Sequence, residues 1–392
     1  MSEKCQIPRC IQKIFAASHC NIAYIGGSLT VGVGASDVSR TSWRTLFTQY
    51  VYETYHPKYH CQVSEVMGAI GASESYAAAF MLPRNVTPHN PDLAFIEFCV
   101  NDKTAPDKDL VIKGMEGMVR KLLTADNSCD VIILGTGARP GADPKHPDGK
   151  IEQSLHRQVA EHYDVPFVDM QSYILETLEE RGESWEDIAL EFEENDPYHL
   201  NDYGQKLSFE AMRDCFKEQV RRYQQGDKVD HSAPLPDPIV SDELQHIELY
   251  DPSKKKSGVK LEGNWDQKAD ELVPWYFDNL LVGAPGAKME FTFEGTAVAV
   301  WGLMYNNGLK VKAKIDGEKT PGPYLRHFIE FGKGAVLAHG MENTEHKLEL
   351  VVSEPSKRHN KLDNPSAQIA YIAVACPPSG DESTKEKAEE GT

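Results

Sequence analysis

Between residues 20 and 225, short apolar runs alternate with longer segments whose apolar residues recur every three or four positions. The runs IAYI (22–25), CQVSEV (61–66), LAFIEFCV (93–100), VIILG (131–135) and VPFVD (165–169) read as strands. In SWRTLFTQYVYETYH, Trp43, Leu46, Phe47, Tyr50 and Val51 keep the i, i+3, i+4, i+7, i+8 spacing of one helical face, and Ser42 stands where an N-cap belongs. Its Trp and Tyr are read as packing residues. A second stripe, Val111, Met115, Met118 and Leu122, predicts a helix covering the sheet between the third and fourth strands, and a last helix runs from near Asp202 to about Gln225. Strands alternating with core-facing helices predict a parallel sheet layered by helices over residues 20–226.

Beyond this unit the pattern changes. Residues 227–245 collect three prolines among polar residues without periodicity and read as a linker. MEFTFEG (289–295), AVAVWG (297–302), KVKAKIDG (310–317) and HKLELVV (346–352) alternate apolar and polar residues, with Gly, Asp or Asn between them. That alternation predicts an antiparallel β-sandwich of jelly-roll type over 246–378. Residues 1–19 are an N-terminal segment outside the α/β pattern, and 379–392, without large apolar residues, are expected to be a disordered tail.

A chain of 392 residues with 40% hydrophobic and 26% charged residues can bury two cores. Acidic residues outnumber Lys plus Arg by 60 to 41, so the charge of −19 opposes nucleic acid and anionic lipid as partners. The longest apolar runs, such as VIIL at 131–134, fall far short of the roughly 20 residues that span a bilayer. The first 20 residues lack the apolar core of about 7 to 15 residues that a secretory signal needs, so a cytoplasmic location is expected, with secretion open if a signal has been removed. Cysteines at 5, 10, 20, 61, 99, 129, 215 and 376 form no CxxC pair and stand near no histidine cluster. They are expected to be free thiols, and no metal is expected.

Candidate chemistry collects at the carboxyl ends of the strands, where the loops of a parallel sheet face one crevice. Ser28 follows the first strand in YIGGSLTVG, and the second strand leads into EVMGAIGASES with a glycine turn at Gly68, Gly71 and Ala72. The third ends in FCVNDK, bringing Asn101 and Asp102 to the same edge. A serine hydroxyl needs a base, and the base needs an orienting carboxylate. In NDPYHLNDYG, Asp196 and His199 stand three apart in a loop before the last helix, within reach of each other. Asp102 is read as structural. Arg139, after the fourth strand in GTGARPGADPKHPDG, lies at the same edge and is a candidate to hold a polar substrate group.

GGSLT, the glycine turn, VND and DPYH stand in the order of the four sequence blocks of the SGNH (GDSL-like) hydrolases, so residues 20–225 resemble that family. The resemblance implies a flavodoxin-like three-layer α/β/α sandwich. It also implies Ser28 as nucleophile, His199 as base and Asp196 as its partner. Backbone N–H groups of Ser28 and of Gly71 or Ala72, with the Asn101 side chain, would form the oxyanion hole, and no cofactor would be needed. Two positions depart from the family pattern. Ala72 stands where the second block has glycine, and Cys99 replaces a small residue before VND.

Jelly-roll modules accompany such catalytic domains in several carbohydrate esterases, so the expected function is hydrolysis of short-chain, acetyl esters of a carbohydrate through an acyl-enzyme. A neutral small-molecule or oligosaccharide ester suits the net charge. The same residues leave open a thioesterase or lysophospholipase, a sugar O-acyltransferase, and a non-catalytic carbohydrate-binding protein. In the second unit Trp301 is read as core. Trp265, Trp275, Tyr276 and Tyr305 stay divided between packing and sugar contact.

Overall fold

The computed structural model describes residues 3–124, 128–190, 196–230, 233–268, 277–304, 309–320, 331–355 and 366–377. Its packing divides the chain into two compact units, Met1–Ser241 with Phe331–Gly334, and Asp242–Glu330 with Ala335–Thr392.

In the first unit β1 (His19–Gly26), β2 (Gln62–Met67), β3 (Leu93–Glu97), β4 (Asp130–Leu134) and β5 (Phe167–Val168) form a parallel sheet in the order β2-β1-β3-β4-β5. This is the flavodoxin-like order, whose reversal between β1 and β3 opens a crevice at the carboxyl ends of those two strands. Successive strand residues point to opposite faces, and both faces are buried. Ile22, Tyr24, Phe95 and Ile132 pack with helices Pro8–Phe15, Trp43–Tyr59 and Asp202–Gln225 through Ile11, Phe47, Met212 and Phe216. Ala23, Ile25, Ile96 and Ile133 on the other face are likewise buried. Helix Lys108–Thr124 turns Val111, Met115, Met118 and Leu122 inward, each no more than 1% exposed.

Phe95 is central to the first face. Its ring stacks on Tyr24 at 5.5 Å and meets the edge of Phe47 at 4.9 Å. Aromatic burial of this kind contributes about 3–5 kcal/mol relative to alanine.

Three expectations differ from the observed chain. β3 ends at Glu97 rather than Val100, because Cys99–Asp102 is a separate helical turn. Residues before 20 belong with the α/β core, as Ile7, Cys10, Ile11 and Ile14 are buried in it. Residues 227–241, expected as a tether, lie in the first unit. There the buried Glu116 carboxylate accepts the backbone N–H groups of Ile239, Val240 and Ser241 at 2.6, 2.9 and 3.3 Å.

The second unit pairs its strands into two antiparallel sheets. One runs Glu318–Lys319, Val311–Ile315, Thr344–Val352, Lys288–Gly295, Lys260–Glu262. The other runs Ala335–Ala338 (the second unit's part of the strand Phe331–Ala338), Ala297–Met304, Ala367–Ala375, Leu280–Gly283, Trp265–Lys268, with Ile247–Tyr250 also pairing on Ala367–Ala375. Met289, Phe291, Phe293, Leu348 and Leu350 from the first meet Val298, Leu337, Ile372 and Val374 from the second, so the core lies between the sheets. Trp301 is wholly buried, and Trp265 donates its indole N–H to the Lys288 carbonyl at 3.0 Å. Trp275, Tyr276, Tyr305 and the tail 379–392 lie outside the described residues.

Among the described residues no helix is long and apolar enough to cross a membrane, and no three His, Cys, Asp or Glu side chains are grouped to hold a metal ion. The eight cysteines are free.

Candidate active site

The turn after β1 is built around two glycines because two side chains occupy the space where their Cβ atoms would stand. A Cβ on Gly26 would overlap the Thr30 hydroxyl, and one on Gly27 would overlap Oδ1 of Asn101. Ser28 then opens the short helix Ser28–Val31, so its N–H has no partner within that helix. Trp43 fixes the turn from helix 43–59 by donating its indole N–H to the Leu29 carbonyl at 2.9 Å. Below it, the buried Glu97 carboxylate accepts the hydroxyls of Thr30 at 3.0 Å and Thr136 at 2.6 Å. Burial raises the Glu97 carboxyl above the ordinary carboxylate range, against the two hydroxyl contacts that lower it.

His199 reaches this turn from the far end of the unit, with Nε2 2.7 Å from Ser28 Oγ. Its other nitrogen, Nδ1, bonds Oδ2 of Asp196. Asp196 Oδ1 accepts the backbone N–H groups of Tyr198 at 2.8 Å and His199 at 3.1 Å, closing an Asx turn that fixes carboxylate and ring together. Burial opposes the Asp196 carboxylate, but the ring and the two N–H groups outweigh it and bring its carboxyl down to about 2. The loop is anchored after it as well: Asn201 caps helix 202–225, accepting from Tyr203 and Gly204 at 2.9 and 3.1 Å.

The remaining expected residues gather at the same sheet edge. The loop after β2 folds back on β1, Ile70 N–H donating to the Gly26 carbonyl at 3.0 Å, which brings Gly71 and Ala72 beside the serine turn. Ala72 holds φ +58°, the left-handed conformation that glycine adopts freely, so alanine at this position keeps the turn at some cost in strain. Asn101 lies on the turn after β3 with Oδ1 buried against Gly27 and without a hydrogen-bond partner. Arg139 is half-buried, and its backbone N–H donates to the Pro197 carbonyl at 2.8 Å, joining the loop after β4 to the Asp196–His199 loop.

Several residues that no short motif marks also shape the site. Lys103 hydrogen-bonds the Tyr198 hydroxyl and stands 4.3 Å from that ring's centroid, linking the Asn101 turn to the His199 loop. Leu29, Tyr198 and Leu200, which flank Ser28 and His199, line a cavity of about 30 Å³ with Trp185 and Ile174. Asp102 is fully buried and bonds His156. Cys99 has no cation near it in sequence, yet the fold sets its Sγ 3.4 Å from Nδ1 of His156. Burial raises the Cys99 thiol above its usual range, which keeps it protonated and unreactive.

Residues 24–207 match the model of the GDSL-like Lipase/Acylhydrolase family. No curated protein sequence matches the chain. Among solved structures, a two-domain esterase (CEX) active on acetylated mannans, co-crystallised with mannopentaose, aligns with a TM-score of 0.76 at 17% identity over 95% of this chain and 94% of its own. Another structure of a two-domain esterase (CEX) active on acetylated mannans aligns with a TM-score of 0.75 at 20% identity, over 93% and 94%. At these identities the likeness is one of fold, and it covers both units.

Proposed function

We propose, from the match of residues 24–207 to the GDSL-like lipase/acylhydrolase family model, that the protein is a serine esterase removing short acyl groups, acetyl above all, from a carbohydrate. One observation carries the reading: Ser28 Oγ, His199 Nε2 and the Asp196 carboxylate form one hydrogen-bonded chain beside the Asn101 amide.

Ser28 Oγ attacks the ester carbonyl while His199 Nε2 takes its proton. Asp196, ionised because its carboxyl lies near 2, holds Nδ1–H and so keeps Nε2 free to accept. The carbonyl oxygen becomes an oxyanion between the N–H groups of Ser28 and of Gly71 or Ala72, and the Asn101 side chain. With Oδ1 of Asn101 turned to Gly27, Nδ2 is the donor it offers. Each such donor is worth about 10²–10³ in rate. Collapse breaks the ester C–O bond, and the sugar oxygen leaves with the proton from His199. Water then repeats the attack on the acyl-serine, giving up its proton to the same nitrogen.

The small cavity of about 30 Å³ lined by Leu29 and Tyr198, the chain neighbours of Ser28 and His199, supports a short acyl group. Support for a carbohydrate alcohol comes from architecture, since the fold shared over both units is that of an esterase active on acetylated mannans. Arg139 is assigned to a polar group of the substrate, from its place on the loop joined to Pro197.

The test is acetate release from acetylated mannans, xylans and simple sugars, with Ser28→Ala as control. The reading expects release by the wild type and none by the variant. Turnover of acyl-thioesters or lysolipids with acetyl esters untouched would overturn the substrate, and transfer to an added sugar in place of hydrolysis would make the protein an acyltransferase.

A further inference from the structure

Asn101 lies on a single helical turn, Cys99–Asp102, and one imidazole holds that turn at both ends. His156, from helix Gln153–His162, sets Nδ1 3.4 Å from Cys99 Sγ and Nε2 2.8 Å from Asp102 Oδ2. All three side chains are buried. The other oxygen of Asp102 accepts the backbone N–H of Ser75 at 2.8 Å, three residues beyond Ala72. A single carboxylate therefore joins the loop after β2, which carries Gly71 and Ala72, to the turn after β3, which carries Asn101. Thr104 adds a parallel tie, its hydroxyl donating to Glu74 at 3.2 Å.

We propose that Asp102 and His156 are positioning residues of the oxyanion hole: neither touches the ester, and together they fix the spacing between the Ala72 backbone N–H and the Asn101 amide. This rests on the esterase reading above. An isolated helical turn has no stability of its own, and oxyanion donors are effective only when held to within about 0.5 Å. The sheet cannot supply that precision, because both donors lie beyond the last paired residues of β2 and β3.

The hydrogen bonds suit an ionised pair. The Cys99 thiol faces the Leu134 carbonyl at 3.5 Å, so its sulfur is free to accept Nδ1–H while Asp102 accepts Nε2–H. Burial pulls the imidazole toward neutrality, and the hydrogen bonds to the Asp102 carboxylate and the Cys99 sulfur oppose it, so His156 is raised above the usual imidazole range. The charged ring also acts electrostatically on Glu97 at the adjoining strand end. His156 thus keeps its proton while His199 cycles. Asp102→Asn keeps an acceptor for Ser75 but removes the charge that pairs with His156, so the tie between the two loops is reduced to a weaker neutral hydrogen bond.

The test is the rate at which a fluorophosphonate probe labels Ser28, followed by intact mass. The Oγ–P bond forms as fluoride leaves, the serine proton passes to His199, and the phosphoryl oxygen occupies the oxyanion hole whatever the natural ester is. Asp102→Asn and His156→Gln should label about 10- to 100-fold more slowly than wild type. The acid limb of their pH profiles should stay in place, because the Ser28–His199–Asp196 chain is untouched. If Asp102→Asn does not fold, Cys99→Val, which withdraws only the Nδ1 contact, should still label several-fold more slowly. Folded variants labelling at the wild-type rate would overturn this proposal alone, as would losses accompanied by a displaced acid limb. A wild type that is not labelled at Ser28 would overturn the esterase reading and this proposal with it.

Discussion

The side-chain carbonyl of Asn101 lies against Gly27, one residue before Ser28, in space that a Cβ would fill. The serine turn and the amide that faces it therefore fit only when position 27 is glycine. Gly27→Ala should push the Asn101 side chain aside and lower ester turnover by about 10²-fold or more, with the fold retained. Steady-state kinetics on an acetyl ester check this. Because both changes remove the same donor, Gly27→Ala combined with Asn101→Ala should lose little more than either alone, the non-additivity of residues that act as a unit.

Asp196→Asn should leave Ser28 and His199 in contact and lower turnover by about 10²–10⁴, the cost of losing the carboxylate that fixes the tautomer. The same carboxylate has a pH signature. Its carboxyl is held near 2 in the fold against about 3.9 in an unfolded chain, so its contribution to stability is present above the higher value and disappears as pH falls through the lower. Melting temperatures between pH 5 and pH 2 should fall more steeply for the wild type than for Asp196→Asn.

His156 has the opposite sign. An imidazole raised above its usual range stabilises the fold fully below about 6.5, where the unfolded ring is also charged, and that contribution is lost as pH rises through the raised value. The wild type should lose melting temperature between pH 6.5 and 10 in excess of His156→Gln, read by calorimetry on both proteins.

Tyr198 lines the small cavity beside Leu29, and Lys103 stands against its ring. Tyr198→Ala should enlarge it and shift preference from acetyl toward butyryl and hexanoyl esters, while Lys103→Ala, which leaves the ring in place, should shift it less. A chain-length series of p-nitrophenyl esters measures both. An unchanged preference in Tyr198→Ala would remove this cavity from the acyl subsite.

The grouping of the candidate site was legible where fixed residue types fall in short stretches: GGS, VND and DPYH each sit on one turn, and the sheet brings those turns to one edge. Strand ends were less legible. Phe98, Cys99 and Val100 are buried whether the chain continues as strand or turns into helix, so hydropathy could not locate the end of β3 at Glu97. His156 carries no signal at all, being 54 residues from Asp102 and one polar residue in an ordinary amphipathic helix. In the second unit the alternating strands stood out, whereas Ala367–Ala375 did not. As a central strand it is buried at all but one position and has no polar face to set a period of two.

The central claim is that Ser28, activated by His199, carries the acyl group. Mixing the protein with an activated acetyl ester, quenching in acid within the first turnovers and sequencing the peptide spanning 24–32 by mass spectrometry tests it most directly. The account predicts an acetyl group on Ser28 Oγ in the wild type and none in His199→Ala. An ester that is turned over while the acetyl group appears on another residue, or with Ser28→Ala as active as the wild type, would contradict it.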